Sequence, residues 1–499
     1  MSIKNKRKNN RAVKDVSFLW ISQLIAVFLG FVTQLIMARF FDVKEYGALS
    51  TALTLTTILG SFAALGAGQN WLRNFGKEGW QALRWVKPTI NINIIAIIVS
   101  IILGLIITLL TDISEMTKSF SILFFTIIIS RGLSNIAEAV YQLEEKYSKL
   151  AVLKSLLHLF RFLSVVVVCL FDKSIYHVAI GYAISSILLT LVYCYLIRRM
   201  WKFEVNLKGH KEKDEALILQ LNNKSIKSTF IYMIPFSAAS LFYMVYFQGN
   251  VYIVNAVLGD IDSGIYYVAF SVMNVIYLFP TTFYQSYLIP KVHRWIGKDN
   301  SKISFIFNLG SRISILLGII MMSFLAGLST YAVPLLFGNK YTLSSMLLVL
   351  LSLTIPLRLL SNNMGSLLVT EKHVSKKAYY QGIGALFNII TTILFANYYG
   401  LYGVIIATLL TEALITMLFY IGVKNNVKEV KRTKNNKNFS YLMITLLSCS
   451  ITILFFYLLY TFENNVMYSV VMLLVQLSLC FFIFKNVMKD FKLIKSKKG

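Results

Sequence analysis

Fourteen apolar stretches separated by thirteen short gaps make up this chain, and its lysines and arginines fall almost entirely into alternate gaps. The stretches begin near Val16, Tyr46, Pro88, Lys118, Leu150, Tyr176, Thr229, Gly264, Asn308, Thr342, Ala378, Tyr402, Ser440 and Val466. Each is roughly 20 to 26 residues long, enough to cross a ~30 Å hydrocarbon core at a rise of ~1.5 Å per residue. With the amino terminus placed inside, the outer loops carry only Lys44, Lys118, Lys173 and Lys340. Arg39, Arg131, Arg161 and Arg358 fall within or at the end of spans, and the rest of the 49 basic residues lie on the inner side. Short loops rich in Lys and Arg are poorly translocated, so this asymmetry predicts that both termini face the cytoplasm.

The composition agrees: 57% of residues are hydrophobic and only 14% charged. A net charge of +27 would suit a nucleic-acid partner if it were clustered. Here it is spread over the inner segments as orientation signals and contacts to anionic lipid headgroups, so no nucleic-acid partner is expected. The basic opening MSIKNKRKNNR precedes an apolar run too long for a signal-peptide core and without a small-residue cleavage site, so the run reads as the first span. Cys169, Cys194, Cys449 and Cys480 lie in apolar stretches without metal-ligand spacing.

The longest basic loop, 198–228, follows span six, and a second, 424–438, follows span twelve. The predicted organisation is an all-α polytopic membrane protein with about 14 transmembrane helices. Two pseudo-symmetric six-helix bundles, 1–197 and 229–423, precede two carboxy-terminal helices in 439–499 with a basic tail. A weak internal echo supports the duplication: DVKEYGALSTA after span one and DIDSGIYYVA after span seven place Glu45 with Asp262, Gly47 with Gly264 and Ala52 with Ala269. Duplicated bundles that rock about a shared site are a common transporter plan. Loops such as LGDIDSG, FGNKYT and TFENN are too short to fold into a domain. No Ser/His/Asp cluster, HExxH, Walker loop or nucleotide-binding glycine motif appears. The sequence assigns no catalytic residue, no metal and no cofactor.

Charged side chains inside a bilayer cost about 2.5 to 3.5 kcal/mol at the helix centre on insertion scales, so they usually face protein or a wet cavity. Arg131, Arg161, Arg358 and Glu412 fall near the middles of spans four, five, ten and twelve. On span four, Arg131, Asn135, Glu138 and Gln142 recur at four, three and four residues, which puts them on one helical face. Lys154, His158 and Arg161 form a comparable face on span five. Two readings stand. In one, Glu138 clasps Arg161 or His158 and Glu412 clasps Arg358, all as structural pairs. In the other, the arginines line a hydrated chamber for an anionic substrate, since guanidinium forks match phosphate oxygens bidentately. Glu138 and Glu412 are then candidates for binding a proton or other coupling ion.

Three strings carry a family likeness: ARFFDVKEYGALSTALTL at 38–55, LLFGNKYTLSSMLLVL at 335–350 and NIITTILFANYYGLYGVIIATLLTE at 388–412. With fourteen spans, they make the chain similar to the polysaccharide-repeat flippases of the O-antigen, capsule and teichuronic-acid type, within the multidrug/oligosaccharidyl-lipid/polysaccharide superfamily. The resemblance implies a bacterial cytoplasmic-membrane flippase that turns undecaprenyl-diphosphate-linked oligosaccharide units to the outer leaflet by alternating access. Arg131, Asn135, Arg161 and Arg358 would meet the headgroup and Arg39 would lie on the exit path. It further implies H⁺ or Na⁺ as a candidate counter-ion, and a glycan polymerase and glycosyltransferases as candidate partners. The alternatives are an exporter of the multidrug and toxin extrusion type, against which the two extra spans and the intramembrane arginines speak, and a non-transporting scaffold of glycan assembly.

Overall fold

Between Phe40 and Val43 the chain breaks one helix and starts the next within three residues. Asp42 is extended and caps the new helix through a capping box: its side chain takes the backbone N–H of Glu45, while its own N–H donates to the Glu45 carboxylate at 3.3 Å. Local chemistry of this kind, repeated between apolar runs too long for a globular core, gives a chain whose regular elements are all helical among the described residues. The computed structural model describes residues 3–171, 174–207, 222–283, 306–368, 373–426 and 447–458, with isolated positions at 288, 303, 471, 474–476, 478 and 481.

The chain divides into two compact units, Met1–Gly264 and Ile265–Gly499. The first contains α1 (Ile3–Phe40), α2 (Val43–Ala64), α3 (Ala67–Glu78), a 3-10 turn at Gly79–Trp85, α4 (Val86–Leu110), α5 (Glu115–Leu123) and α6 (Phe125–Leu143). It continues with α7 (Tyr147–Phe171), α8 (Ile175–Trp201), α9 (Ile226–Leu258) and the first turn of α10 (Asp260–Phe283). Helix α6 is central and packs on α2, α3, α4 and α8, while α1 lies along α7 and α9 along α2 and α4.

With no water in hydrocarbon to compete, polar side chains act as glue between helices. Asn93, fully buried on α4, donates to the carbonyl of Ala63 on α2 at 2.8 Å and to that of Gly132 on α6 at 3.1 Å. One amide thus ties three helices.

The second unit contains the rest of α10, then α11 (Ser311–Phe337), α12 (Thr342–Ser352), α13 (Thr354–Leu367), α14 (Val374–Asn426) and the short apolar α15 (Leu447–Leu458). Helices α12 and α13 form a pair bent by 45°, and α11 and α14 pack against both. Gly400, at φ 57° and ψ −139°, interrupts α14; that backbone conformation is readily open only to glycine. It divides 53 residues into two helices of crossing length, matching the separate spans expected near Ala378 and Tyr402.

Among the described residues, eight helical runs are long and apolar enough to cross a membrane, nine if the α12/α13 pair is one broken span. Two of these runs, Val43–Leu110 and Val374–Asn425, hold 68 and 52 residues, enough for two crossings each. Ile94, Ile98, Ile102, Leu109, Leu170 and Leu191 are exposed, as a lipid-facing surface requires. The protein is therefore an all-α, multi-pass membrane protein. Parts of the two basic linkers, 208–221 and 427–438, and the fourteenth span's start near Val466 lie outside the described residues, and the six-plus-six-plus-two division remains a proposal.

Replacing Asn93 by Leu deletes both interhelical bonds. The expected outcome is a loss of about 1 kcal/mol, within the range measured for hydrogen bonds between membrane helices, seen as a lowered melting temperature in detergent.

Candidate functional site

The stripe expected on span four is present on α6, where Arg131, Asn135, Glu138 and Gln142 are all partly buried rather than turned out to lipid. The path of Arg131 is set by Gly60 on α2: a Cβ there would stand 2.8 Å from the Cβ of Arg131, so glycine opens the lane that the side chain follows. One turn on, the backbone carbonyl of Asn135 nests against Gly68 of α3. This close packing fixes the rotation of α6 about its axis, and with it the direction of the stripe.

Across from α6, α7 presents Lys154, His158 and Arg161. Glu138 forms an ion pair with Lys154 at 3.1 Å. That corrects the expected clasp of Glu138 with Arg161 or His158: the lysine nearer the start of α7 takes the carboxylate. The Arg161 guanidinium stacks over the ring of Tyr182 on α8 at 5.0 Å, and His158 lies beside Gly30 of α1. Arg131, Arg161 and His158 are all within electrostatic range of one another, as are Arg131, Arg161, Glu138 and Tyr193.

Arg131 makes no ion pair among the described residues, and its buried Nε meets no acceptor. Arg131 and Arg161 thus stand close together near the Glu138 carboxylate, which Lys154 engages. Guanidinium groups placed this close together are suited to an anion presenting several oxygens. Tyr193, almost fully buried on α8, and Tyr182 belong to this cluster but carried no signal in the sequence, because an aromatic residue in an apolar span is ordinary. Arg39 is not part of it: it is exposed in the last turn of α1, nine residues and about 13 Å of helix rise from Gly30.

The second unit treats its arginine differently. Arg358 on α13 and Glu412 on α14 are 3% and 1% exposed and hydrogen-bond directly to each other. The Tyr277 ring lies 4.9 Å from the guanidinium, and the Tyr277 hydroxyl shares a 2.6 Å hydrogen bond with Thr354. Here the clasp reading of the sequence describes the arrangement: Arg358 and Glu412 are engaged with each other in the core.

Just beyond α6, buried Glu144 accepts a hydrogen bond from Arg199 at 2.8 Å and pairs with Lys146 at 2.9 Å. Burial pushes its carboxyl up, but the two cationic partners outweigh that and hold it below the usual carboxylate range.

An all-α chain with several apolar helices of membrane-crossing length and charged side chains among them defines a polytopic membrane protein. The chain belongs to the polysaccharide biosynthesis protein family, whose model matches residues 12–294. It is 23% identical over 424 residues to the lipopolysaccharide biosynthesis protein WzxC of Escherichia coli K12, covering 82% of this chain and 80% of that one. Its fold is similar to that of the lipid II flippase MurJ in an inward closed conformation, with a TM-score of 0.66, 19% identity, and 95% and 99% of the two chains covered. The multidrug transporter DinF-BH of the MATE class shares the fold at a TM-score of 0.58 and 14% identity, over 84% and 96% of the two chains.

Two outcomes follow from the pairs. Arg358→Ala or Glu412→Ala alone leaves a buried charge without its partner and should cost about 3 to 5 kcal/mol, whereas the double replacement Arg358→Met with Glu412→Leu should recover most of it in thermal unfolding. Because the Glu144 pKa is depressed on folding, its contribution is present above the unfolded carboxylate pKa of about 4.3 and lost as pH falls through the folded value. Glu144→Gln should flatten the acid limb of stability against pH.

Proposed function

We propose that this protein is a flippase that moves undecaprenyl-diphosphate-linked oligosaccharide units from the cytoplasmic to the outer leaflet of a bacterial cytoplasmic membrane, by alternating access. The observation that carries the reading is Arg131: partly buried on α6, its Nε meets no acceptor, Arg161 lies within electrostatic range, and the nearby carboxylate of Glu138 is held by Lys154. A diphosphate suits these side chains, because a guanidinium can donate two parallel N–H bonds to phosphate oxygens while the low dielectric strengthens both. Asn135 and the Tyr193 hydroxyl are suited to sugar or phosphate oxygens at the edge of the cluster. The polyprenyl tail stays in lipid throughout, so only the headgroup needs a polar path.

Membership of the polysaccharide biosynthesis protein family supports the reading, as does the fold shared with a lipid II flippase. The charge asymmetry along the chain supports cytoplasmic termini. In the proposed cycle the headgroup enters beside Arg131 and Arg161 and leaves past Arg39. Arg358 is assigned a structural part, because Glu412 occupies it. Binding alone only shifts populations between states, so net movement needs consumption of the product or an ion gradient. Of the two acids, Glu138 is the better candidate for a coupling H⁺ or Na⁺, because its lysine partner is a third exposed and its own side chain is in reach of water. A glycan polymerase and glycosyltransferases acting on the same lipid-linked sugar are the proposed partners, and the role is transport rather than catalysis. The fold shared with a multidrug transporter keeps an exporter as the second reading, but a cationic cluster repels the cationic substrates such an exporter would take.

The test is flipping of a labelled polyprenyl-diphosphate sugar in proteoliposomes. Loss of a charged hydrogen bond of about 1.5 to 3 kcal/mol predicts a fall of roughly ten- to a hundredfold for Arg131→Ala and for Arg161→Ala, with partial retention in Arg131→Lys. Wild-type rates in both alanine variants would remove the site assignment. Growth protection against cationic dyes would favour the exporter.

A further inference from the structure

The layer formed by α2 and α4 has two faces. Toward α6, Gly60, Ala63, Asn93 and Ile97 make the contacts around Arg131 and Gly132. On the opposite side, Phe62 of α2 and Ile95 and Val99 of α4 meet Phe230 and Ile234 of α9 around a groove of about 660 Å³. That volume lies within the ~300 to 1,000 Å³ typical of small-molecule sites. The α9 residues lining it recur every three or four positions from Ile226 to Leu241, so the groove follows one helical face for about 22 Å.

The chemistry of the lining is uneven along that length. Over most of it there is only hydrocarbon, since the Ser237 hydroxyl donates to the carbonyls of Leu65 and Met233 and so is already satisfied. At one end the groove meets Lys227, exposed in the first turn of α9 and the sole charged residue lining it. Around that end stand further cations and amphipathic rings: the Lys224 ammonium is 5.8 Å from the Trp85 ring, Trp85 lies 5.6 Å from Tyr232, and Arg73 stacks on Tyr232 at 4.3 Å. Trp and Tyr with Lys and Arg mark the headgroup level of a bilayer. The groove therefore starts among headgroups and runs down into the acyl region, past the ~15 Å depth of a single leaflet.

We infer that this groove binds an anionic phospholipid of the surrounding membrane, one acyl chain lying between α4 and α9 and the phosphate meeting Lys227, with Lys224 close by. The charge complementarity selects an anionic headgroup over a zwitterionic one. The carried lipid's own tail is the less suitable occupant, because its diphosphate would sit at Arg131 and Arg161, on the other face of the α2–α4 layer. A lipid held here ties α9 to α4, two helices that are far apart in the chain.

The test needs no sugar substrate, so it stands apart from the flippase reading. Purified full-length protein is titrated with phosphatidylglycerol, phosphatidylcholine or undecaprenyl phosphate, and bound lipid is read by native mass spectrometry alongside melting temperature. Phosphatidylglycerol should be retained as a discrete adduct and raise the melting temperature, while phosphatidylcholine should do neither. Lys227→Ala, a change at an exposed side chain that leaves the core untouched, should weaken phosphatidylglycerol binding by about fivefold. Ala238→Trp, which fills the groove, should abolish the adduct; if that variant misfolds, the Lys227→Ala comparison alone decides. Equal retention of phosphatidylcholine, or phosphatidylglycerol binding unchanged in Lys227→Ala, overturns the assignment. Preferential retention of undecaprenyl phosphate also overturns it and gives the groove to the carried lipid.

Discussion

A guanidinium placed in hydrocarbon must have either a carboxylate or water and anions at hand, and the rest of this structure follows from how each arginine meets that demand. In the second unit the answer is internal: Arg358 and Glu412 satisfy each other, and aromatic and hydroxyl groups close around them. In the first unit the acid near Arg131 is engaged by Lys154, Arg161 stacks on the Tyr182 ring, and the two arginines lie within electrostatic range of each other. Two like charges held together in low dielectric repel, and the close approach of α6 to Gly60 and Gly68 is part of the packing that holds Arg131 in place against that repulsion. The same chemistry in the two units thus yields a locked pair in one and a looser cluster of cations around one carboxylate in the other.

Much of this was legible from residue spacing. The span pattern and its lysine bias are direct consequences of membrane thickness and translocation, and the stripe from Arg131 to Gln142 follows from helical periodicity. Matching depth was enough to suggest the Arg358–Glu412 clasp. What the sequence could not convey is which side chain on one helix faces which on another, because that depends on helix rotation. Lys154 and Arg161 sit seven residues apart on one face of α7, equally eligible partners for Glu138 until the register against α6 is known. Tyr182 and Tyr193 were invisible for a simpler reason: nothing in an apolar run distinguishes a tyrosine that backs a cation from one that fills space. The apolar groove beside Lys227 was likewise unreadable, since it depends on the separation of α4 and α9 rather than on any motif.

Family membership and geometry support each other without overlapping. The family model and the shared fold speak to class, and neither selects an arginine. The cluster in the first unit speaks to an anionic cargo, and it names no sugar. Their conjunction gives the proposed flippase its mechanism, in which a diphosphate meets the guanidinium groups of the first unit.

The single amide of Asn93, joined to carbonyls on both neighbouring helices, has a mechanical consequence. Sliding α4 along α2 or α6 by even one residue would strand the Asn93 amide donor in a medium that offers no replacement acceptor. Helices α2, α4 and α6 are therefore held to travel as one slab, and shape changes in this unit fall at its borders with the surrounding helices, α8 and α9 among them.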